Sequence, residues 1–407
     1  MSRPARRISP EIILFSGLLI ALITSGPRVS MGLFQLPVTA ETGWGRDVFS
    51  LAIALQNLLW GLGQPFAGAV ADRFGAVRVL VVGALLYAVG LVVMAQAPNQ
   101  GTFHLGAGII IGLGLSGCSF NLVLGAFGKL LPESWRPMAF GAGVAAGSFG
   151  QFLFPPFGTL LIGEIGWHQT LLVFSVTVLL VLPLAMYLAS PPADVGAGAA
   201  VPQQSIRQAL SEAFRHPSYV LLVAGFFTCG FQVAFITAHL PAYLRDTGMP
   251  AWVGGWSLAL IGLANAVGSL SAGYLSGRMP KRWILAFIYL GRSVATVAFL
   301  LLPPSPATAL AFSAVMGFLW LSTVPPTSGL VMQMFGTRYM AMLFGFAFLS
   351  HQVGSFIGVW LGGVLYERSG SYDVVWWLSV ALGIASAVIA LPIKERPVVR
   401  PAMQPAE

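Results

Sequence analysis

Two arginines stand inside long apolar runs. Arg28 lies in a run that begins near Ile12, and Arg292 in one that begins near Trp283. A charge at bilayer depth is expensive, faces an interior rather than lipid, and is a functional candidate by default. All 13 acidic residues fall at the ends of apolar runs, in connections or in tails. No carboxylate is therefore expected at mid-membrane depth beside either guanidinium. An interior that holds Arg and no acid is positive, and its natural ligand is an anion. A carboxylate accepts two parallel hydrogen bonds from a guanidinium, which neutralises the charge and orients the ligand together. Lys in place of Arg28 would keep the charge but lose that fork.

Other polar residues keep company with Arg28. Thr24, Arg28 and Gln35 are spaced to share one helix face, and so are Thr228, Gln232 and His239 in a later run. The two sets are linked by one interval: His239 follows Gln35 by 204 residues (239 less 35), as Thr228 follows Thr24 and Gln232 follows Arg28. The two stripes are expected to face each other at matching depth. Asn121 and the Pro325-Pro326 break would complete the lining. The candidate substrate-binding residues are thus Arg28, Gln35, Asn121, Gln232, His239 and Arg292. His239 and His351 titrate nearest neutral pH and are the candidates for proton coupling. A proton could also travel with an anion held by Arg28.

Each of these residues has a plainer reading. Arg28 and Arg292 could satisfy helix-end carbonyls, Gln232 could bridge two helices, and both histidines could be satisfied interior groups. No nucleophile–base–acid set and no metal-ligand cluster is visible, so no catalytic residue, metal or cofactor is expected. Cys118 and Cys229 lie in apolar runs and read as small buried hydrophobes.

The elements that must position these residues follow from composition. Of 407 residues, 57% are hydrophobic and only 8% charged, where soluble domains are roughly a quarter charged. Lipid must be the solvent for most of the exterior. A bilayer core of about 30 Å asks for about 20 apolar residues per helix. Such runs occur near 12–36, 48–71, 78–97, 103–128, 137–162 and 168–189, and again near 218–244, 252–276, 283–302, 307–334, 339–366 and 373–392. Residues 190–217 between the two sets read as a linker, with a short amphipathic helix near Ile206–Phe214. Residues 1–189 and 218–396 form two six-helix units, and 397–407 a disordered tail.

The net charge of +8 does not point to nucleic acid, because the basic residues sit in short connections between apolar runs. Arg3, Arg6, Arg7, Arg73, Arg78 and Lys129 lie on one side with most of the others, and only Arg46, Arg245 and Arg368 lie opposite. The positive-inside rule then places both termini in the cytoplasm. The basic segment Met1–Arg7 precedes an apolar run too long for a signal peptide, so it reads as the flank of an uncleaved first helix.

The halves also repeat outside the polar stripes: Phe140-Gly141 matches Phe344-Gly345, and Gly150 matches Gly354, at the same interval. Between the second and third runs stands Gly68-Ala-Val-Ala-Asp72-Arg73-Phe-Gly75-Ala-Val-Arg78. This resembles the loop signature of the major facilitator superfamily. Gly68 permits close helix packing, Asp72 can cap or pair, Gly75 permits a tight turn, and Arg78 adds a cytoplasmic charge. Together they are the candidate gate. The second copy, from Gly273 to Arg282, has Gly277 in place of the acid, so a charge latch is expected in the first half only. The Gly-rich stretch Gly141–Gly150 is similar to the fifth-helix motif of facilitator antiporters without its Gly-Pro pair, and reads as packing.

Three segments resemble the bacterial facilitators grouped with monocarboxylate transporters and oxalate:formate antiporters. They are Arg28 and Gly32 with Glu41-Thr-Gly-Trp44, the segment Cys229–Pro241, and the segment from Pro325 through His351-Gln352-Val-Gly354. The chain departs from those families in one respect. They carry a buried Arg on helix eight, whereas the membrane Arg of the second half here is Arg292, on helix nine. The resemblance implies an all-α integral membrane protein of twelve transmembrane helices in two pseudo-symmetric bundles, lying in a bacterial inner membrane. The expected function is secondary transport of a small organic anion, in the first place a monocarboxylate, by alternating access in a monomer, with proton coupling open. Efflux of drugs or other amphipathic solutes is the rival, favoured by 28 Phe and 11 Trp. A membrane sensor or enzyme is disfavoured by the missing catalytic set.

Overall fold

The computed structural model describes residues 9–189, 205–336 and 339–398, without the side chains of Asp72, Phe120, Asn121, Pro137, Phe140 and Ala341. Ten helical runs are long and apolar enough to cross a membrane. One of them, within 136–188, doubles back at Gly166, whose φ of 80° takes the left-handed region that glycine adopts without penalty. Arg46–Phe74, 29 residues long, is a further helix of membrane length. The described residues thus form twelve spans, with no strand among them.

We name the spans α1 (Pro10–Val29), α2 (Arg46–Phe74), α3 (Ala76–Ala95), α4 (Gln100–Leu130), α5 (136–165) and α6 (167–188). The second half comprises α7 (Pro217–Asp246), α8 (Ala251–Ser276), α9 (Lys281–Leu301), α10 (Pro306–Phe335), α11 (Met340–Ser369) and α12 (Asp373–Ala390). A short helix over Ile206–Arg215 precedes α7, where the sequence suggests an amphipathic one. Ser205 and Gln208 cap it reciprocally, which supplies two of its orphan donors. The remainder of the linker, 190–204, and residues 399–407 lie outside the described residues.

Two local breaks set the interior. After Val29 the chain tightens into a 3-10 turn, Met31–Phe34, and resumes as a helix over Gln35–Thr42. The periodicity that aligned Gln35 with Thr24 and Arg28 is lost at that turn. The second break is in α10, which stops at Leu319 and restarts at Val324, with proline in the first turn of the restarted segment. Proline there lacks only an N–H that would be orphaned anyway. The carbonyls at the end of the first segment still need partners, because lipid supplies none.

The halves meet along α2–α11 and α5–α8, with the turn after α1 against α7. Small residues carry the approach: Gly255 and Gly262 of α8 back onto Thr159 and Gln151 of α5. Apolar side chains such as Phe287, 68% exposed, and Leu301, 72% exposed, cover the outside, as lipid contact requires.

Candidate functional site

Arg28, in the last turn of α1, is partly buried. Its guanidinium carbon lies 4.9 Å from the centre of the Trp60 ring on α2. Among the described residues no carboxylate, carbonyl or hydroxyl accepts a hydrogen bond from it. A guanidinium stacked on an aromatic face keeps its in-plane N–H groups for another partner. Trp60 also packs edge-on against Phe348 of α11, 5.4 Å between centroids. Arg28 therefore sits at the seam between the halves with no hydrogen-bond acceptor among the described residues.

Arg292 shares the residue type and apolar setting of Arg28 and has the opposite surroundings. It is fully buried. Its Nε donates to the Leu319 carbonyl at 3.1 Å, Nη2 to the same oxygen at 2.7 Å and to the Trp320 carbonyl, and Nη1 to Gln232 Oε1 at 3.3 Å. Gln232 in turn donates to the Ser379 carbonyl at 3.0 Å. The break in α10 frees these carbonyls and Arg292 satisfies them, so the guanidinium is a structural clamp in this conformation. The expectation that Arg292 and Gln232 line a binding site does not match this placement. Thr228 likewise turns away, accepting from Ser386 at 2.8 Å.

Gln35 and His239 do meet across the halves. Gln35 Nε2 lies 3.3 Å from His239 Nδ1, and Oη of Tyr372, the residue that precedes α12, is also 3.3 Å from Nδ1. His239 Nε2 lies 2.9 Å from the Val359 carbonyl. A carbonyl only accepts, so Nε2 carries the hydrogen and Nδ1 is the acceptor. His239 and Gln35 are both fully buried. The pair is sealed from solvent and can meet a proton or a ligand only after the halves move. His351, the other coupling candidate, has Nδ1 3.1 Å from Gln352 Oε1, while Nε2 has no hydrogen-bond acceptor or donor within bonding geometry among the described residues. Its neighbour Gln352 reaches the Asn57 carbonyl of α2 at 3.1 Å.

Above the Gln35–His239 pair is a lock that sequence reasoning missed. Arg46, at the start of α2, makes a two-pronged bond to Asp246 at the end of α7, at 2.6 and 2.7 Å. It also donates to Tyr372 Oη at 3.0 Å and lies 3.8 Å from the Tyr366 ring centre. Its backbone N–H donates to Glu367 Oε1 at 2.7 Å. Four residues of the second half thus close on one arginine of the first. The residues were visible as charges at helix ends, but nothing in the sequence pairs positions 200 apart.

The other end of α2 is loosely packed: Phe66, Val70 and Phe74 are exposed, and a Cβ placed at Gly68, Gly141 or Gly345 would meet nothing within 4 Å among the described residues. The candidate gate lies here. Gly75 (φ 89°) makes the turn between α2 and α3, and Arg73 stacks on its neighbour Phe74 at 5.2 Å. Arg73 and Arg78 are exposed and make no ion pair among the described residues. The side chains of Asp72 and Asn121 lie outside the described ones, so the geometry of those two expectations is not defined.

Apolar outer walls, an interior guanidinium without an acceptor among the described residues and a lock between the halves at the Arg46 end are features of a membrane carrier. The chain belongs to the Major Facilitator Superfamily, whose model matches residues 13–359. It is a multi-pass membrane transporter, not an enzyme. It is 24% identical over 395 residues to the uncharacterized MFS-type transporter YcxA of Bacillus subtilis, covering 96% of each chain. It is 23% identical to monocarboxylate transporter 13 of Bos taurus, over 88% of this chain and 82% of that one. Rattus norvegicus monocarboxylate transporter 4 is 24% identical, over 93% and 82%. The crystal structure of a D-xylose–proton symporter superposes with a TM-score of 0.71 at 16% identity, covering 95% of this chain and 97% of that one, a likeness of fold.

Proposed function

We propose that the protein is a secondary transporter of a small organic anion, in the first place a monocarboxylate. The observation that carries this reading is the Arg28 guanidinium, set at the seam on the Trp60 ring with no hydrogen-bond acceptor among the described residues. Distant relatives named monocarboxylate transporters support the same class. The six helices of residues 1–189 rock against those of 218–396, with 190–217 as the tether. The positive-inside rule puts the Arg73 end and both termini in the cytoplasm of a bacterial inner membrane. The conformation is then open inward, with Arg46 and Asp246 closing the outer side. Binding at Arg28 draws the open end together, and breaking the Arg46 lock opens the other.

The test is uptake or counterflow of radiolabelled short carboxylates in proteoliposomes. Arg28→Ala abolishes it while the purified protein stays monodisperse. Full transport by that variant would remove the pocket assignment.

A further inference from the structure

Resting on that reading, the structure supplies a second anchor. Trp60 covers one face of Arg28, and its own Nε1–H is shut off from solvent with no acceptor among the described residues. An indole N–H can only donate, and unlike a side-chain amide it cannot be reassigned by a flip. A buried donor without an acceptor is a standing cost, which a ligand acceptor relieves. One turn away on the same helix face, Gln56 Nε2 is also buried without a partner. The second half also holds buried groups without a partner among the described residues, Trp376 Nε1 and His351 Nε2, but among those residues no guanidinium stacks on Trp376 as Arg28 does on Trp60, and Arg292 and Gln232 are bonded to carbonyls and to each other.

We propose that Trp60 is a substrate-binding residue that works with Arg28. The anion is held by the first six helices, its carboxylate on Arg28 and an acceptor oxygen further along its chain on Trp60 Nε1. The ligand class is a short acid with an ether, carbonyl or hydroxyl oxygen in its chain, preferred over the alkanoate of equal length. The N–H is sealed in the present conformation, so the bond forms as the halves close on the ligand, and it favours the closed state over the open one.

The test compares methoxyacetate with butanoate, chains of the same length with and without an ether oxygen, by calorimetric titration of the purified full-length transporter. The wild type is expected to bind methoxyacetate about tenfold more tightly, since a site with a waiting donor penalises the analogue that lacks the acceptor. Trp60→Phe keeps an aromatic face under Arg28 and brings the ratio close to one. Replacement of Trp60 by benzothienylalanine, which keeps the indole shape and puts sulfur in place of N–H, does the same without a packing change. Equal affinities in the wild type, or a preference that survives the benzothienyl replacement, overturn the Trp60 assignment and leave the anion carrier standing. If neither acid nor any other short carboxylate binds the wild type, the carrier reading fails, and this inference with it.

Discussion

Asp246→Asn tests the lock between the halves. Arg46 belongs to the first half and Asp246 to the second, so their two bonds exist only while that end is closed. The side chains are 10% and 31% exposed. Exposed pairs are worth roughly 0.2–1 kcal/mol, and breaking a fully buried pair costs about 3–5 kcal/mol. An intermediate burial with two-pronged geometry gives about 1.5 kcal/mol. Tyr372 and Tyr366 still hold the guanidinium in the variant, which argues against a larger figure. Since 1.4 kcal/mol is about a factor of ten, the population open at the Arg46 end rises about tenfold. Ser50 is fully buried one turn below Arg46, and so reports opening when replaced by cysteine. A membrane-impermeant maleimide should label Ser50→Cys about ten times faster with Asp246→Asn than without it. The native Cys118 and Cys229 are buried, and the parent protein supplies their background. An unchanged rate would refute the lock.

Two further outcomes follow from the packing. Arg292→Gln leaves buried carbonyls of Leu319 and Trp320 without their donor; at roughly 1–3 kcal/mol for each unsatisfied group, it should lower the melting temperature of apo protein more than Arg28→Gln does. Equal melting temperatures would mean that Arg292 is not a clamp. Gly32→Ala places a methyl group against the Thr237 and Ala238 carbonyls of α7, and overpacking costs about 1–3 kcal/mol. Because that contact belongs to the closed outer end, the variant should also raise Ser50→Cys labelling; lowered stability with unchanged labelling would place the strain elsewhere.

Helix number, the two halves and the α2–α3 turn were legible because lipid demands long apolar runs and the chain repeats them. Gly75 takes the positive φ that a turn of that length requires. What sequence could not resolve was which arginine is free. Arg28 and Arg292 are the same residue in similarly apolar stretches of sequence, and the carbonyls freed by the α10 break give Arg292 its opposite surroundings. The Pro325-Pro326 pair marked that break, but not where its carbonyls point. The stripe of Thr24, Arg28 and Gln35 assumed one continuous helix, and the turn at Met31–Phe34 interrupts it. The expected meeting of the stripes holds for Gln35 with His239 alone. The Arg46 lock escaped because ion pairs between helix ends have no local pattern.

Whether Arg28 receives an anion is measured by ligand-induced thermal stabilisation of the purified protein, screening short mono- and dicarboxylates against lipophilic cations. A ligand that binds only the folded state raises apparent stability with occupancy, by about 2.7 kcal/mol at a hundred times Kd. Carboxylates are expected to stabilise the wild type and to lose that effect in Arg28→Ala. Stabilisation by cations alone, or by carboxylates equally in both proteins, would contradict that role of Arg28.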